Sequence, residues 1–323
     1  MRPPDFWSRP TPGWQTALLA PAAAAYRWAG RLRQTSVTPH RAGIPVLCVG
    51  NLTLGGTGKT PIAIALGGIA KASGHTPFFL TRGYGGTLRG PVRVDPALHL
   101  ASDVGDEPLL LAEAAPVIVA RDRVAGAQRA LHDGASLIIM DDGFQNPALA
   151  KDMSLIVIDG EAGFGNGAVF PAGPLRETVA QGLARAQGIV VVEGARPSID
   201  ETAFDPLPVF HASLAPDPHD ADMLRGQMVF AFAGIGRPEK FFATLRACGA
   251  VVADTRSFPD HFPFAQGEVA ALHAQAKALG ARLVTTQKDY VRLPPPLRAG
   301  IATLRVSAAF SDYAGIAKFI ATL

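Results

Sequence analysis

The stretch IPVLCVGN–LTLGGTGKT–PIAIAL, near residue 50, constrains this 323-residue chain more than any other. An apolar run reads as a buried strand, a glycine-rich turn follows, and an apolar-periodic helix begins at once. Gly55, Gly56 and Gly58 let the backbone curl so that its amides converge on an anion. Lys59 is then set to reach β- and γ-phosphates, and Thr60 to offer its hydroxyl to Mg²⁺. The helix aims its N-terminus at the same point, and Pro61 fits a first turn whose N–H would be unpaired anyway. Thr53 stands where the usual pattern G-x-x-x-x-G-K-T opens with glycine, and Thr57 completes the loop. The plain alternative is a flexible turn carrying a solvated lysine. Lysine is scarce here, seven against 23 arginines, and a strand-loop-helix context surrounds this one. The reading is a site for ATP or GTP.

After residue 40 the chain alternates short β-rich runs with helical stretches. Strands are expected at 44–50, 77–81, 116–120, 136–141, 154–159 and 188–193, with helices at 59–72, 107–114, 122–132 and 175–184. Nearly continuous apolar runs such as SLIIM and GIVVV suit a parallel sheet covered on both faces, and the series predicts a doubly wound α/β domain. The polar, Pro-rich stretch 195–220 breaks the rhythm. Strands at 228–233, 250–256, 282–286 and 301–306 and helices at 238–247 and 265–279 follow it. The expectation is an α/β protein with three parts: an N-terminal segment over 1–43, a phosphate-loop domain over 44–205, and a smaller α/β domain over 206–323.

Net charge is +3, unevenly spread. Residues 1–43 hold Arg2, Arg9, Arg27, Arg31, Arg33 and Arg41 against Asp5, a balance of +5, together with all three tryptophans; the other 280 residues carry −2. A mildly acidic body excludes the long basic groove of a nucleic-acid binder. Trp14, Leu18, Pro21, Ala25, Trp28 and Leu32 recur at helical spacing on one face, with the arginines mostly off it. That pattern suits the surface of an anionic bilayer; it also suits an amphipathic helix docked on the body, while Pro21 and the arginines after it argue against a secretory signal peptide. No apolar run of about 18 residues exists to span a membrane. Cys48 and Cys248 lie in apolar surroundings and read as buried, inert thiols in a reducing compartment.

Acidic residues mark the remaining candidates. Asp141-Asp142-Gly143 ends a strand, where open α/β sheets carry functional groups, and suits a Mg²⁺ bridging two phosphates; the bland alternative is an Asp-Gly turn. Asp106, in VGDEP, is either a helix-start acid satisfying free amides or a catalytic group. Asp260-His261, in SFPDHFPF, is either a loop or a base beside a carboxylate. Arg82, Arg121 and Arg123 are candidates to grip a substrate phosphate by position and charge alone.

The ordered set GNLTLGGTGKTP, TRGYGG, VGDEP, ARDR, DDGFQ, FPAGPLRE, FAGIGRPEKFF, SFPDHFPF and TTQKDYVRL, running from about residue 50 to residue 293, resembles the tetraacyldisaccharide 4′-kinases of lipid A synthesis. The opening helix is similar to that family's membrane-associating segment, and threonine at 53 is the family's own spelling of the loop. The resemblance implies two α/β/α domains with the active site between them, the first a mostly parallel sheet of the P-loop NTPase type. It implies phosphorylation, by ATP with Mg²⁺, of the 4′-hydroxyl of a tetraacyldisaccharide 1-phosphate. It implies, too, a peripheral position on an anionic membrane surface, the cytoplasmic face of the bacterial inner membrane, with no obligate protein partner. Carried over, Thr53, Gly55, Gly56, Thr57, Gly58, Lys59, Thr60 and Arg176 bind the nucleotide. Thr60, Asp141, Asp142 and Glu177 attend the metal. Asp106 is the catalytic base, coupled to His261, with Lys59 assisting transfer.

Two positions depart from the family pattern. Asn146 replaces the histidine of DDGFQH, so any proton handling there passes to an amide that does not titrate. Gln287 replaces the glutamate of TTEKD, which weakens any metal or ion-pair role. The phosphate loop and basic head alone also fit a membrane-recruited nucleotide switch that hydrolyses ATP or GTP.

Overall fold

The computed structural model describes residues 4–9, 11–194 and 199–323; Arg2 and the first residues of the expected 195–220 boundary lie outside the described residues. The strands are β1 Val46–Gly50, β2 Pro77–Thr81, β3 Val92–Arg93, β4 Val117–Val119, β5 Leu137–Asp141, β6 Met153–Asp159, β7 Gly188–Val192, β8 Val209–Pro216, β9 Met228–Ala233, β10 Val251–Ser257, β11 Arg282–Thr286, β12 Ile301–Leu304 and β13 Val306–Phe310. Nine form one sheet in the order β13-β8-β7-β6-β1-β5-β2-β4-β3, and four form a second, β10-β9-β11-β12. In the large sheet only the edge pairs β13–β8 and β3–β4 are antiparallel.

Alternation along each strand explains why these runs are apolar throughout. Leu47 and Val49 point into one core with Ile62 and Leu66 of helix α2 (Lys59–Ala72), while Val46 and Cys48 point into the opposite core with Ala127 and Ala130. Both faces are covered, so no position in β1 is free to be polar. Cys48 is fully buried, and burial pushes its thiol up to about 12, consistent with an inert side chain.

Domain membership departs from the sequence expectation. β8 and β13, both assigned above to the second domain, pair with each other and extend the first sheet through β7. Ile316 and Ile320 of the Tyr313–Ile320 helix share the core of Leu47 and Val49. The second body therefore runs from about residue 217 to 305 and is inserted into the first. Alternating patterns report element type, not which sheet a strand joins, and Arg305 alone separates β12 from β13. The expected helix over 175–184 shortens to Val179–Leu183, because Leu175 is bridged to Thr53 and Val169 and Thr178 caps the helix.

Helix α1, Trp14–Thr35, docks on the first body by one narrow face. Thr16 and Ala23 are buried, Asn166 Nδ2 donates to Thr16 Oγ1 at 3.1 Å, and the Tyr26 ring meets Phe170 edge-on at 5.4 Å. At about 100° per residue, the predicted apolar face lies opposite this contact. Trp14, Leu18, Trp28 and Leu32 are 73%, 70%, 68% and 53% exposed. Docked helix and outward apolar face, two alternatives at the sequence level, describe opposite sides of one helix. No helix among the described residues is long and apolar enough to cross a membrane.

Candidate active site

The large sheet reverses its winding beside β1. The chain leaves β1 toward β5, β2 and β4, while β6, β7 and β8 lie on the other side. Open α/β sheets bind ligands in the crevice at that point, and the loop 51–58 occupies it. Asn51 Nδ2 donates to the Thr53 carbonyl at 2.9 Å. The segment 174–176 straps the loop from outside: Leu54 N–H donates to Pro174 O at 2.8 Å, and Arg176 N–H to Leu52 O at 2.7 Å. Thr53 bridges antiparallel to Leu175, an extended conformation open to any residue, which is why glycine is dispensable there. Gly55 and Gly58, by contrast, have φ of +129° and +81°, where a side chain would strain the backbone.

Lys59 Nζ lies 3.6 Å from Asp142 Oδ1, and Arg176 Nη1 donates to the same oxygen at 3.1 Å. Burial raises the Asp142 carboxyl, but Lys59 and Arg176 outweigh it and hold the group below the ordinary carboxylate range. Asp141, at the end of β5 and opposite Val49 of β1, is 1% exposed, and neither carboxylate oxygen has a hydrogen-bond partner. Burial, then the charge of Glu107, pushes it up to about 8. Thr57 Oγ1 is likewise buried without a partner. A buried carboxyl with no hydrogen-bond donor, next to an anion nest, has the chemistry that suits a divalent cation. No three His, Cys, Asp or Glu side chains among the described residues form a closed metal cage. Mg²⁺ does not need one, since it takes one or two carboxylates and fills its shell with phosphates and waters.

Glu177 is differently placed. It is 7% exposed, accepts from Gln145 Nε2 at 3.1 Å and pairs with Arg185, so protein donors already engage both oxygens. Gln145 also accepts from Arg176 Nη1 at 3.3 Å, which links Glu177 to the Asp142 side of the site. Arg185 stacks over Phe144 at 4.6 Å. Asn146 accepts the Ala148 N–H at 2.9 Å, a local turn bond that accounts for an amide at that position. Gln287 donates to Glu113 at 2.7 Å on the surface.

Asp106 opens the Asp106–Ala112 helix and is 5% exposed. Its Oδ1 accepts the Glu107 N–H at 2.9 Å. Its Oδ2 faces the second body, where Arg292 Nε donates at 2.7 Å, Arg292 Nη2 pairs closely, His261 Nδ1 stands at 3.2 Å and Lys288 Nζ at 3.9 Å. Burial raises this carboxyl, but the His261 hydrogen bond and the charges of Lys288 and Arg292 prevail and hold it well below the usual range. Asp142 and His261 are the only non-glycine residues with positive φ among the described residues, +52° and +58°. Backbone strain confined to two candidate site residues points to function. The ring of Tyr84 meets His261 at 5.7 Å.

Sequence reasoning thus names Lys59, Asp142 and Arg176, which the fold brings into one cluster with Asp141 beside them, and Asp106 and His261, which it brings into a second. It passes over Arg292, although that residue lies in the quoted TTQKDYVRL, one helical turn beyond Lys288. Arg82 and Arg121 are exposed. Arg123 is 4% exposed and donates to the Ala120 carbonyl; burial, then the charge of Arg82, brings its guanidinium down to about 10.

Comparison with known proteins gives the family. A tetraacyldisaccharide 4′-kinase of Rhodospirillum centenum is 51% identical over 327 residues, covering 100% of this chain and 97% of that protein. One of Methylorubrum populi is 52% identical over 326 residues, covering 99% and 98%. The crystal structure of LpxK from Aquifex aeolicus, described as an "apo" form in complex with ATP, superposes with a TM-score of 0.77 at 25% identity, over 94% of this chain and 98% of that one. The profile of LpxK, tetraacyldisaccharide-1-P 4′-kinase, matches residues 15–323. The chain belongs to this kinase family.

Proposed function

We propose that the protein transfers the γ-phosphate of ATP to the 4′-hydroxyl of a tetraacyldisaccharide 1-phosphate, working on a bilayer surface it touches through α1. The observation that carries this reading is an anion nest, Gly55 to Thr60, in the same molecule as an Asp106 carboxylate held ionised where the second body meets the first. Lys59 and Arg176 bind phosphate oxygens, and on doing so release Asp142 from its internal pairs. Asp141, Asp142 and the Thr60 hydroxyl would hold a Mg²⁺, which neutralises phosphate charge when bound. In the transfer the sugar oxygen bonds to the γ-phosphorus, the bond to the β–γ bridging oxygen breaks, and the hydroxyl proton passes to Asp106 Oδ2, leaving ADP. A loose transition state releases that proton late, so a weak base suffices if it is ionised and in place. His261, 3.2 Å from the receiving oxygen, shares the proton.

The outward face of α1 supports the membrane half. Four large apolar side chains with no partner, flanked by exposed Arg31 and Arg33, form the kind of stripe that lies in an anionic interface. The cytoplasmic face of the bacterial inner membrane is the surface this substrate chemistry calls for.

The test is transfer of labelled γ-phosphate to tetraacyldisaccharide 1-phosphate in mixed micelles, run beside sedimentation with anionic vesicles. Wild type should form the 4′-phosphate with turnover dependent on ATP. Replacing Trp14, Leu18, Trp28 and Leu32 together by serine should lower vesicle partition more than about tenfold, leaving ATP affinity unchanged. ATP hydrolysis without a lipid product would identify a nucleotide switch instead.

A further inference from the structure

Arg292 ends the Gln287–Arg292 helix, is 7% exposed on its side chain, and uses its whole guanidinium. Nε and Nη2 address Asp106 Oδ2. Nη1 donates to Asp289 Oδ1 at 2.9 Å and to the Gly234 carbonyl at 2.7 Å. Asp289 has no exposed surface, and its other oxygen accepts the Gly234 N–H at 3.0 Å and the Thr286 hydroxyl at 2.7 Å. Gly234 follows β9 and Thr286 ends β11. One planar cation therefore fastens the carboxylate of the first body to the ends of two central strands of the second.

We propose that Arg292 is a positioning residue: anchored by Asp289, it fixes Asp106 Oδ2 in the cleft, so that the base is set only when the two bodies are engaged. The proposal rests on the kinase reading above for its catalytic consequence. A lysine placed there reaches one acceptor, not three, because only the guanidinium fork spans Asp106, Asp289 and the Gly234 carbonyl together. The other charged groups facing Asp106 are Lys288, His261, Glu107 and, at 4.0 Å from Arg292, Asp260. Each remains when Arg292 is changed, though His261 Nδ1 also loses its contact with Arg292 Nη2 at 3.2 Å. Removing the Arg292 charge raises the Asp106 carboxyl.

The experiment compares wild type, Arg292→Gln and Arg292→Lys by lipid phosphorylation between about pH 4 and 9, ATP binding, thermal melting, and titration of Asp106 by ¹³C NMR on the substrate-free protein. Arg292→Gln should lose about 100-fold in kcat, keep ATP affinity within about twofold, and move the ¹³C midpoint of Asp106, followed to acid below pH 4, up by at least about one pH unit. Arg292→Lys keeps the charge, so its midpoint should move less than half as far while kcat still falls by about tenfold. A folded Arg292→Gln with wild-type kcat and midpoint overturns the proposal. So does equal loss in both variants with an unmoved midpoint, which marks a merely structural residue. If wild type makes no lipid product the kinase reading fails, while the ¹³C midpoints still decide whether Arg292 governs Asp106.

Discussion

Two aspartates in this molecule are equally buried and oppositely treated. Asp106, 5% exposed, meets Arg292, His261 and Lys288 on one oxygen and a backbone amide on the other. Asp141, 1% exposed, meets nothing on either oxygen, with two further acids, Glu107 and Asp142, within electrostatic reach. The first is held below the ordinary carboxylate range and the second pushed up to about 8. An amino-acid type does not decide a role; its company does. Where a carboxylate must be ionised and immobile, the fold supplies the cations. Around Asp141 the charge of Lys59 acts as well, but burial and Glu107 outweigh it.

Asp106→Asn should break the contrast most forcefully. The amide leaves Arg292 and Lys288 buried beside a neutral group, a loss of about 3–5 kcal/mol by analogy with other broken buried pairs. Turnover should fall by about 10²- to 10⁴-fold. The pH dependence has a defined sign. A depressed folded pKa gives stability that is complete above the unfolded value of about 3.9 and lost progressively as pH falls from there through the lower folded value. Melting curves of wild type and variant should therefore converge below about pH 4. A variant as stable as wild type at pH 7 would mean that the cations around Asp106 are ornamental.

Asp141→Asn tests the other side and should move stability in the opposite direction. A folded pKa raised to about 8 costs nothing below about pH 4, and the cost grows until pH passes 8. Without ligand, the variant should melt above wild type at pH 7 by about 1–3 kcal/mol, the gain vanishing toward pH 4. With Mg²⁺ and ATP the order should reverse, because only wild type gains from the cation. If the asparagine protein is less stable without ligand, Asp141 has a partner that its bare oxygens do not reveal.

How much of this was legible in the sequence follows from how local each signal is. The strand, GGTGKT and helix α2 are contiguous, so their chemistry and geometry read together. Asp141-Asp142 is visible for the same reason, ending an apolar run. The company of Asp106 is not: Arg292 lies 186 positions away, and only the docking of the second body makes the pair. Nor was the inserted topology legible, since the pattern of β13 is an ordinary strand pattern and only its pairing with β8 returns it to the first sheet. The lost half of the 175–184 helix has a related cause: Pro174 and Arg176 bond to the phosphate loop, and Leu175 to Ala168 and Phe170, rather than to their own turn.

The smallest expected effect concerns an arginine that ties together the two chain segments entering and leaving the second body. Arg305 stands where the chain re-enters the first body, and its Nε and Nη2 grip Asp220 at 2.8 Å while Nη2 also reaches Asp217 at 3.2 Å. In number of bonds it rivals Arg292. Its side chain, however, is 46% exposed against 7%, so water and salt screen what burial would amplify. Arg305→Ala should cost about 0–1 kcal/mol, less at high salt, with turnover unchanged. Arg292→Gln, by contrast, should be destabilising by several-fold more and insensitive to salt. Equal costs at the two positions would mean that burial does not separate them, and that the number of hydrogen bonds alone sets the strength of each junction.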